Sequence, residues 1–128
     1  MLGKDARQRA YDKGVWSEEL AVRHLEKQKF KILQQRYKTK FGEIDIVALK
    51  RDMLVFAEVK ARPDYADGAE AVNYRARRRI EQAALHFIAM HEEAYADYAM
   101  RFDVIVVYGD KKGGLSLTHL DNAWEAGS

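Results

Sequence analysis

The sequence predicts an α/β domain with a central mixed sheet and helices on both faces. Three observations predict it. Two segments, Gly42 to Lys50 and Met53 to Ala61, are apolar on both faces, as strands of a doubly covered sheet are. A long stretch of helical periodicity follows, then another apolar run, in the order of a strand–helix–strand crossover. With 128 residues, 48% hydrophobic and 33% charged, residues 1–128 read as a single globular domain.

The elements follow in order. Ala6 to Lys29 reads as a helix, with Tyr11, Val15, Trp16, Leu20, Val22 and Leu25 at helical spacing. Gly14 weakens its middle, so two helices are an alternative. Phe30 to Tyr37 is a first strand, and the two apolar segments above are the second and third. Pro63 to Gly68 is a loop. Asn73 can cap a helix running to about Glu93, with a stripe of Ile80, Ala84, Phe87, Ile88 and His91. Phe102 to Tyr108 is the most hydrophobic strand and is expected at the centre of the sheet. Residues 109–114 form a turn, and Leu115 to Leu120 is the last strand. The order is α-β-β-β-α-β-β.

Composition excludes several functions. There is no cysteine, hence no disulfide and no thiolate zinc site. The four histidines, His24, His86, His91 and His119, lack zinc-ligand spacing. No apolar run approaches membrane length, and Met1 to Arg9 is charged without the apolar core of a secretory leader. A cytoplasmic protein with no membrane partner is the expectation. The net charge of +2 says little by itself, so the placement of charges matters more.

Charges inside the strand-like segments carry the chemistry. A hairpin centred on Arg51-Asp52 sets Lys50 opposite Met53 and Leu49 opposite Leu54, and therefore Asp45 opposite Glu58. Directly opposed residues share a face, with Cβ atoms roughly 4.5–5.5 Å apart. Lys60, two residues beyond Glu58, points the same way. Buried charges are costly unless paired or metal-bound. Two carboxylates this close repel, and a divalent cation relieves them. The plainer alternative is a cross-strand salt bridge from Lys60 to Glu58 or Asp45.

Arg75, Arg77, Arg78 and Arg79, with Arg62 upstream, could follow a phosphate backbone, or could be a solvated helix face. Lys38 and Lys40, beside Tyr37 and Phe41, form a weaker patch of the same kind. Trp16 and Phe87 read as core. Asp103, on a buried strand, needs a structural partner such as an arginine.

Four motifs, Gly42-Glu43-Ile44-Asp45, Glu58-Val59-Lys60-Ala61-Arg62, Ala69-Glu70-Ala71-Val72 and Arg101-Phe102-Asp103-Val104, occur in this order. The set resembles the YraN-type bacterial family, which looks like a branch of the PD-(D/E)xK, restriction-endonuclease-like superfamily near the archaeal Holliday junction resolvases. The resemblance runs from about Gly14 to Val107. It implies a restriction-endonuclease-like three-layer α/β/α fold and a metal-dependent endonuclease acting on nucleic acid, with DNA the expected partner and branched DNA a candidate substrate. A non-catalytic nucleic-acid-binding module of the same fold is the alternative.

By that resemblance the catalytic residues are Glu18, Asp45, Glu58 and Lys60. Asp45, Glu58 and the Val59 carbonyl would hold Mg²⁺ or Mn²⁺. Glu18 is preferred to Glu19 because it shares a helix face with Ala21, Val22 and Leu25. Lys60 would orient the attacking water or stabilise charge on the phosphoryl group. Two departures stand out: Ser17 replaces a usual glycine before the helix Glu, and Ala76 replaces a lysine common near the start of the second helix. The oligomeric state stays open, a homodimer included.

Overall fold

A strand that is apolar on both faces needs a core on each side. The computed structural model supplies both. It describes the backbone of residues 2–63, 72–110 and 113–128, with side chains from Gly14 onward in those stretches, Asp110 excepted. The elements are α1 (Leu2–Lys27), β1 (Lys31–Lys38), β2 (Glu43–Lys50), β3 (Met53–Arg62), α2 (Tyr74–Met90), α3 (Glu92–Tyr95), β4 (Ala99–Asp110) and β5 (Gly114–Trp124). The five strands form one sheet in the order β1-β2-β3-β4-β5. β3 and β4 are parallel and the other neighbours antiparallel, so the fold is mixed α/β as expected.

Alternation along β3 divides the core. Leu54 and Phe56 pack with Ile80, Ala83, Ala84 and Phe87 of α2. Val55 and Ala57 pack with Ala21 and Leu25 of α1. Phe87 is buried, as expected, and makes edge contacts with Tyr37 and Phe56.

Several boundaries differ from the sequence expectation. α1 is continuous through Gly14 and ends at Lys27. Lys29 then takes a left-handed φ of 73°, and the Phe30 N–H bonds back to the Leu25 carbonyl at 3.0 Å, the Schellman pattern of a helix end. Asn73 caps α2, accepting from the Ala76 N–H at 2.9 Å. α2 stops at Met90 because His91 leaves helical geometry, and Glu92–Tyr95 makes a separate short turn. β4, expected at the centre, is second from the edge. The middle place goes to β3, because β5 folds back as an antiparallel partner on the far side of β4. β5 runs on to Trp124, whose ring stacks on Phe102 with centroids 5.0 Å apart. The Ala69–Ala71 motif, most of the loop after Pro63, and residues 111 and 112 lie outside the described residues.

Two breaks in strand pairing matter most. In β1–β2 the ladder passes from Gln35↔Ile46 to Tyr37↔Ile44, leaving out Arg36 and Asp45, which stand opposite each other. Arg36 has a left-handed φ of 52°. Across this point the faces exchange. Ile46 and Ala48 pack on the α1 side, whereas Ile44, two residues before Ile46, packs on the α2 side. In β4–β5 the register shifts between Phe102 and Val104, leaving out Asp103.

The turn from β1 into β2 is tied to α2. Thr39 closes it: the Thr39 N–H and Oγ1–H both donate to the Gly42 carbonyl at 2.9 Å, and Oγ1 accepts from the N–H groups of Phe41 and Gly42. Gly42 then lies against α2 so closely that a Cβ there would meet Arg79 Cβ at 3.1 Å and the Arg79 carbonyl oxygen at 3.2 Å. A helix carbonyl cannot move aside cheaply. Gly42→Ala is therefore expected to destabilise by about 1–3 kcal/mol through overpacking. Gly14→Ala, in a helix with nothing within 4 Å of the new atom, should stabilise by about 0.5–1 kcal/mol. Urea denaturation of both variants checks this; equal shifts would contradict the close docking of the turn.

Candidate active site

The β2–β3 hairpin turns at Arg51, which takes φ 57°, and pairs Lys50 with Met53 through to Ile46 with Ala57. One step further in the same register, Asp45 stands opposite Glu58, as the turn arithmetic requires. There the backbone ladder gives way to a side chain: the Val59 N–H donates to Asp45 Oδ2 at 2.8 Å. The N–H and C=O of a strand residue face the same neighbour, so the Val59 carbonyl faces this opening too. Asp45 thus turns toward the gap between β2 and β3 and not onto one face of the sheet.

Glu58 follows Leu54 and Phe56 in alternation and is 8% exposed. Its Oε1 is buried and has no hydrogen-bond partner among the described residues. Lys60, on the same face, brings Nζ to 3.7 Å from Glu58 Oε2. Glu18, partly buried on α1, pairs with Arg36 at 2.8 Å through Nε, and its charge acts on Asp45; Glu19 is exposed. The structure therefore brings Asp45, Glu58 and Lys60 together, and Glu18 reaches the group only through its action on Asp45. It adds Arg36, which holds Glu18, and Glu43, whose charge acts on both Asp45 and Glu58. Glu43 was legible as the acid two residues before Asp45. Arg36 was not, because its position opposite Asp45 depends on a bulge between Ile32 and Gln34.

Burial sets the electrostatics. Burial first and the Asp45 charge second raise the Glu58 carboxyl to about 8, and Lys60 and the Asp45 backbone amide offset them only in part. Burial also raises Asp45, to about 6, against the Val59 N–H that lowers it, with Glu18 adding to the rise. The two groups interact closely enough to titrate as a pair, both held above the ordinary carboxyl range. Asp103 is the opposite case. It is fully buried, which raises its pKa, yet hydrogen bonds from His119 and Arg101 and from the Asn122 N–H outweigh burial and leave it lowered. Arg101 binds it through Nε and Nη2 at 2.8 and 2.9 Å, and His119 Nε2 lies 2.6 Å from Oδ2. The expected arginine partner is present, and the role is structural.

The arginines separate. Arg77 spans the Trp124 ring, 5.5 Å from its centroid, and donates to the Val72 carbonyl at 3.0 Å. Arg78 lies 3.6 Å from Glu81, itself bonded to the Trp124 indole. Arg62 donates to the Ala61 carbonyl. Arg75 and Arg79 are exposed and have no ion pair among the described residues. Trp16, expected in the core, is only partly buried and lines a cleft of about 360 Å³ with Leu20 and Leu117. Among the described residues no three or more His, Asp or Glu side chains are grouped to hold a metal ion. The oxygens available at the splayed strand ends are those of Asp45, Glu58 and the Val59 carbonyl.

With this geometry in view, the chain matches the model of the "Uncharacterised protein family UPF0102" over residues 17–107. The chain belongs to the UPF0102 family. Relatives named UPF0102 protein include one from Azorhizobium caulinodans, 45% identical over 93% of this chain and 87% of its own length. Another, from Chelativorans, is 41% identical over 80% of this chain and 82% of its own. A third, from Alkaliphilus oremlandii, is 37% identical over 87% and 96%. The matched span of this UPF0102 chain begins at Ser17 and takes in Glu18, Asp45, Glu58 and Lys60.

The raised carboxyls predict a pH dependence. A raised acid binds more protons folded than unfolded, so stability falls as pH rises between its ordinary and its folded value. For Glu58 that window is pH 4.5 to about 8, and for Asp45 pH 3.8 to about 6. Metal-free protein should lose stability from pH 5 to pH 8, and Glu58→Gln should flatten the decline and exceed wild type at pH 8. Urea midpoints in EDTA measure it; parallel declines in the two proteins would contradict the assignment.

Proposed function

We propose that this chain has the restriction-endonuclease-like, PD-(D/E)xK-type three-layer arrangement and hydrolyses phosphodiester bonds in nucleic acid, DNA foremost, with Mg²⁺ or Mn²⁺. The observation that carries the reading is Glu58 Oε1, a buried carboxylate oxygen with no partner among the described residues, opposite a second carboxylate with a raised pKa. A purely structural acid would be satisfied, as Asp103 is. The donor set suits one small divalent cation, which takes one or two protein carboxylates and keeps the rest of its shell in water. Asp45, Glu58 and the Val59 carbonyl would hold it, and it would supply Lewis acidity toward a phosphoryl oxygen.

The chain's own residues do the rest. Lys60, 24% exposed and beside Glu58, stands where an ammonium can meet charge developing on the phosphoryl group. Glu18, held by Arg36, can accept a hydrogen bond from the attacking water and orient it. The exposed Arg75 and Arg79 give nucleic acid a cationic approach. The binding-module reading draws on one specific observation: Glu18 already has a partner in Arg36, and Lys60 one in Glu58, so both can be plain ion pairs.

Two measurements decide between them. Mg²⁺ or Mn²⁺ should raise the melting temperature of wild type, and raise it less in Asp45→Ala and Glu58→Ala. In single-turnover cleavage of a panel of duplex, branched, single-stranded and RNA substrates, Lys60→Ala should lose roughly 10²–10³ in rate with little loss of affinity. Binding without turnover by wild type on every substrate and with either metal would establish the module.

A further inference from the structure

We propose that Phe41 is a stacking platform for an unpaired base and that Lys40, Arg75 and Arg79 hold the flanking phosphates, so that the preferred ligand is nucleic acid with a single-stranded segment at the carboxylate site. This deepens the function proposed above and rests on it.

The inference starts from a large aromatic side chain that stands partly in solvent and outside both core clusters. Phe41 is 40% exposed, at the tip of the turn between β1 and β2. A mobile ring there would be unremarkable, but this turn is held. The Thr39 hydroxyl bonds both N–H groups of the tip and the Gly42 carbonyl, and Gly42 is seated on the Arg79 backbone of α2. The backbone that carries the ring is therefore held before any ligand binds, which lowers the entropic cost of stacking.

Cations lie beside the ring. Lys40 Nζ sits over one face of Phe41, 5.2 Å from its centroid, so a base would stack on the other face. Arg79 lies against Gly42, and Arg75, one helical turn earlier, shares its stripe. Arg77 and Arg78 are engaged with Trp124 and Glu81, so the arginine run presents Arg75 and Arg79 toward solvent. An aromatic face flanked by cations is the arrangement that binds single strands without reading sequence, through ring–base stacking and phosphate contacts.

Position links the platform to the chemistry. Phe41 precedes Asp45 by four residues, at most about 13 Å of extended chain at ~3.3 Å per residue. Glu43, between them, already acts on Asp45 and Glu58. The turn that carries Phe41 leads directly into the part of β2 that carries Asp45. A fully paired duplex offers no free base face, so it gains only the cationic contacts.

The test uses the full-length protein in EDTA, which removes cleavage from the readout. The ligands are a single-stranded oligonucleotide carrying 2-aminopurine and the same sequence as a closed duplex hairpin. Wild type should bind the single strand and quench its fluorescence. Phe41→Ala should weaken single-strand binding by about tenfold or more and abolish the quench, with duplex affinity changed less than about twofold. Phe41→Tyr should retain both. Arg75→Ala with Arg79→Ala should weaken both ligands and flatten the salt dependence by about one unit of slope per lost phosphate contact.

Outcomes separate cleanly. If wild type binds nucleic acid and Phe41→Ala leaves affinity and quench intact, the platform is overturned while the proposed function stands. Wild type that binds neither ligand in EDTA overturns the platform, and the metal-dependent function is then decided by the cleavage panel above. A change in sedimentation of the protein alone on Phe41→Ala would place the ring in a protein–protein contact and overturn the platform.

Discussion

The paired break in the sheet at Arg36 and Asp45 is the constraint on which the site depends. In regular pairing, successive side chains take opposite faces without exception. One strand cannot exchange faces unless its neighbour does so at the opposed residue. Here both do, with Arg36 in a left-handed conformation and Ile44 crossing to the α2 side. The exchange turns Arg36 toward Glu18 and Asp45 toward the Val59 amide. It joins a carboxylate from α1 to a carboxylate on β3 through a third between them. A regular strand would have put Asp45 on one face only.

Asp45 and Asp103 make an informative pair. Both sit where a ladder skips a residue, and both accept a backbone N–H. Asp103 gains a bidentate arginine and a histidine besides, and its charge is stabilised. Asp45 gains carboxylates as neighbours, and Glu58 keeps an oxygen without a partner among the described residues. Fold stability alone would favour an apolar pair at Asp45 and Glu58, since buried charge without compensation is among the costlier features a domain can carry. A local arrangement that opposes stability is where function is expected.

Much of this was legible in the sequence, for identifiable reasons. The hairpin register follows from a two-residue turn, and alternation then carries Glu58 and Lys60 to one face; the observed pairing agrees. Asn73 as a cap and an arginine for Asp103 follow from local chemistry. The arginine run was legible only as a run. Which members are committed depends on Trp124 and Glu81, which lie far along the chain and on another turn of the helix. Glu18 over Glu19 followed from the helix stripe, but its partner Arg36 did not.

The sequence by itself determined the five strands and two long helices, the facing of Glu58 and Lys60, and the family to which the chain belongs, because these rest on short-range periodicity, turn length and ordered motifs. Tertiary structure alone decided three things. It decided that β3 holds the middle of the sheet, since strand order depends on where β5 folds back. It decided that Asp45 turns into the gap between strands, since that requires a matched irregularity on β1. And it decided that Gly42 sits on Arg79, which fixes the turn bearing Phe41 against the arginine helix. Each is a contact between segments distant in sequence, and no local pattern encodes the distance between them.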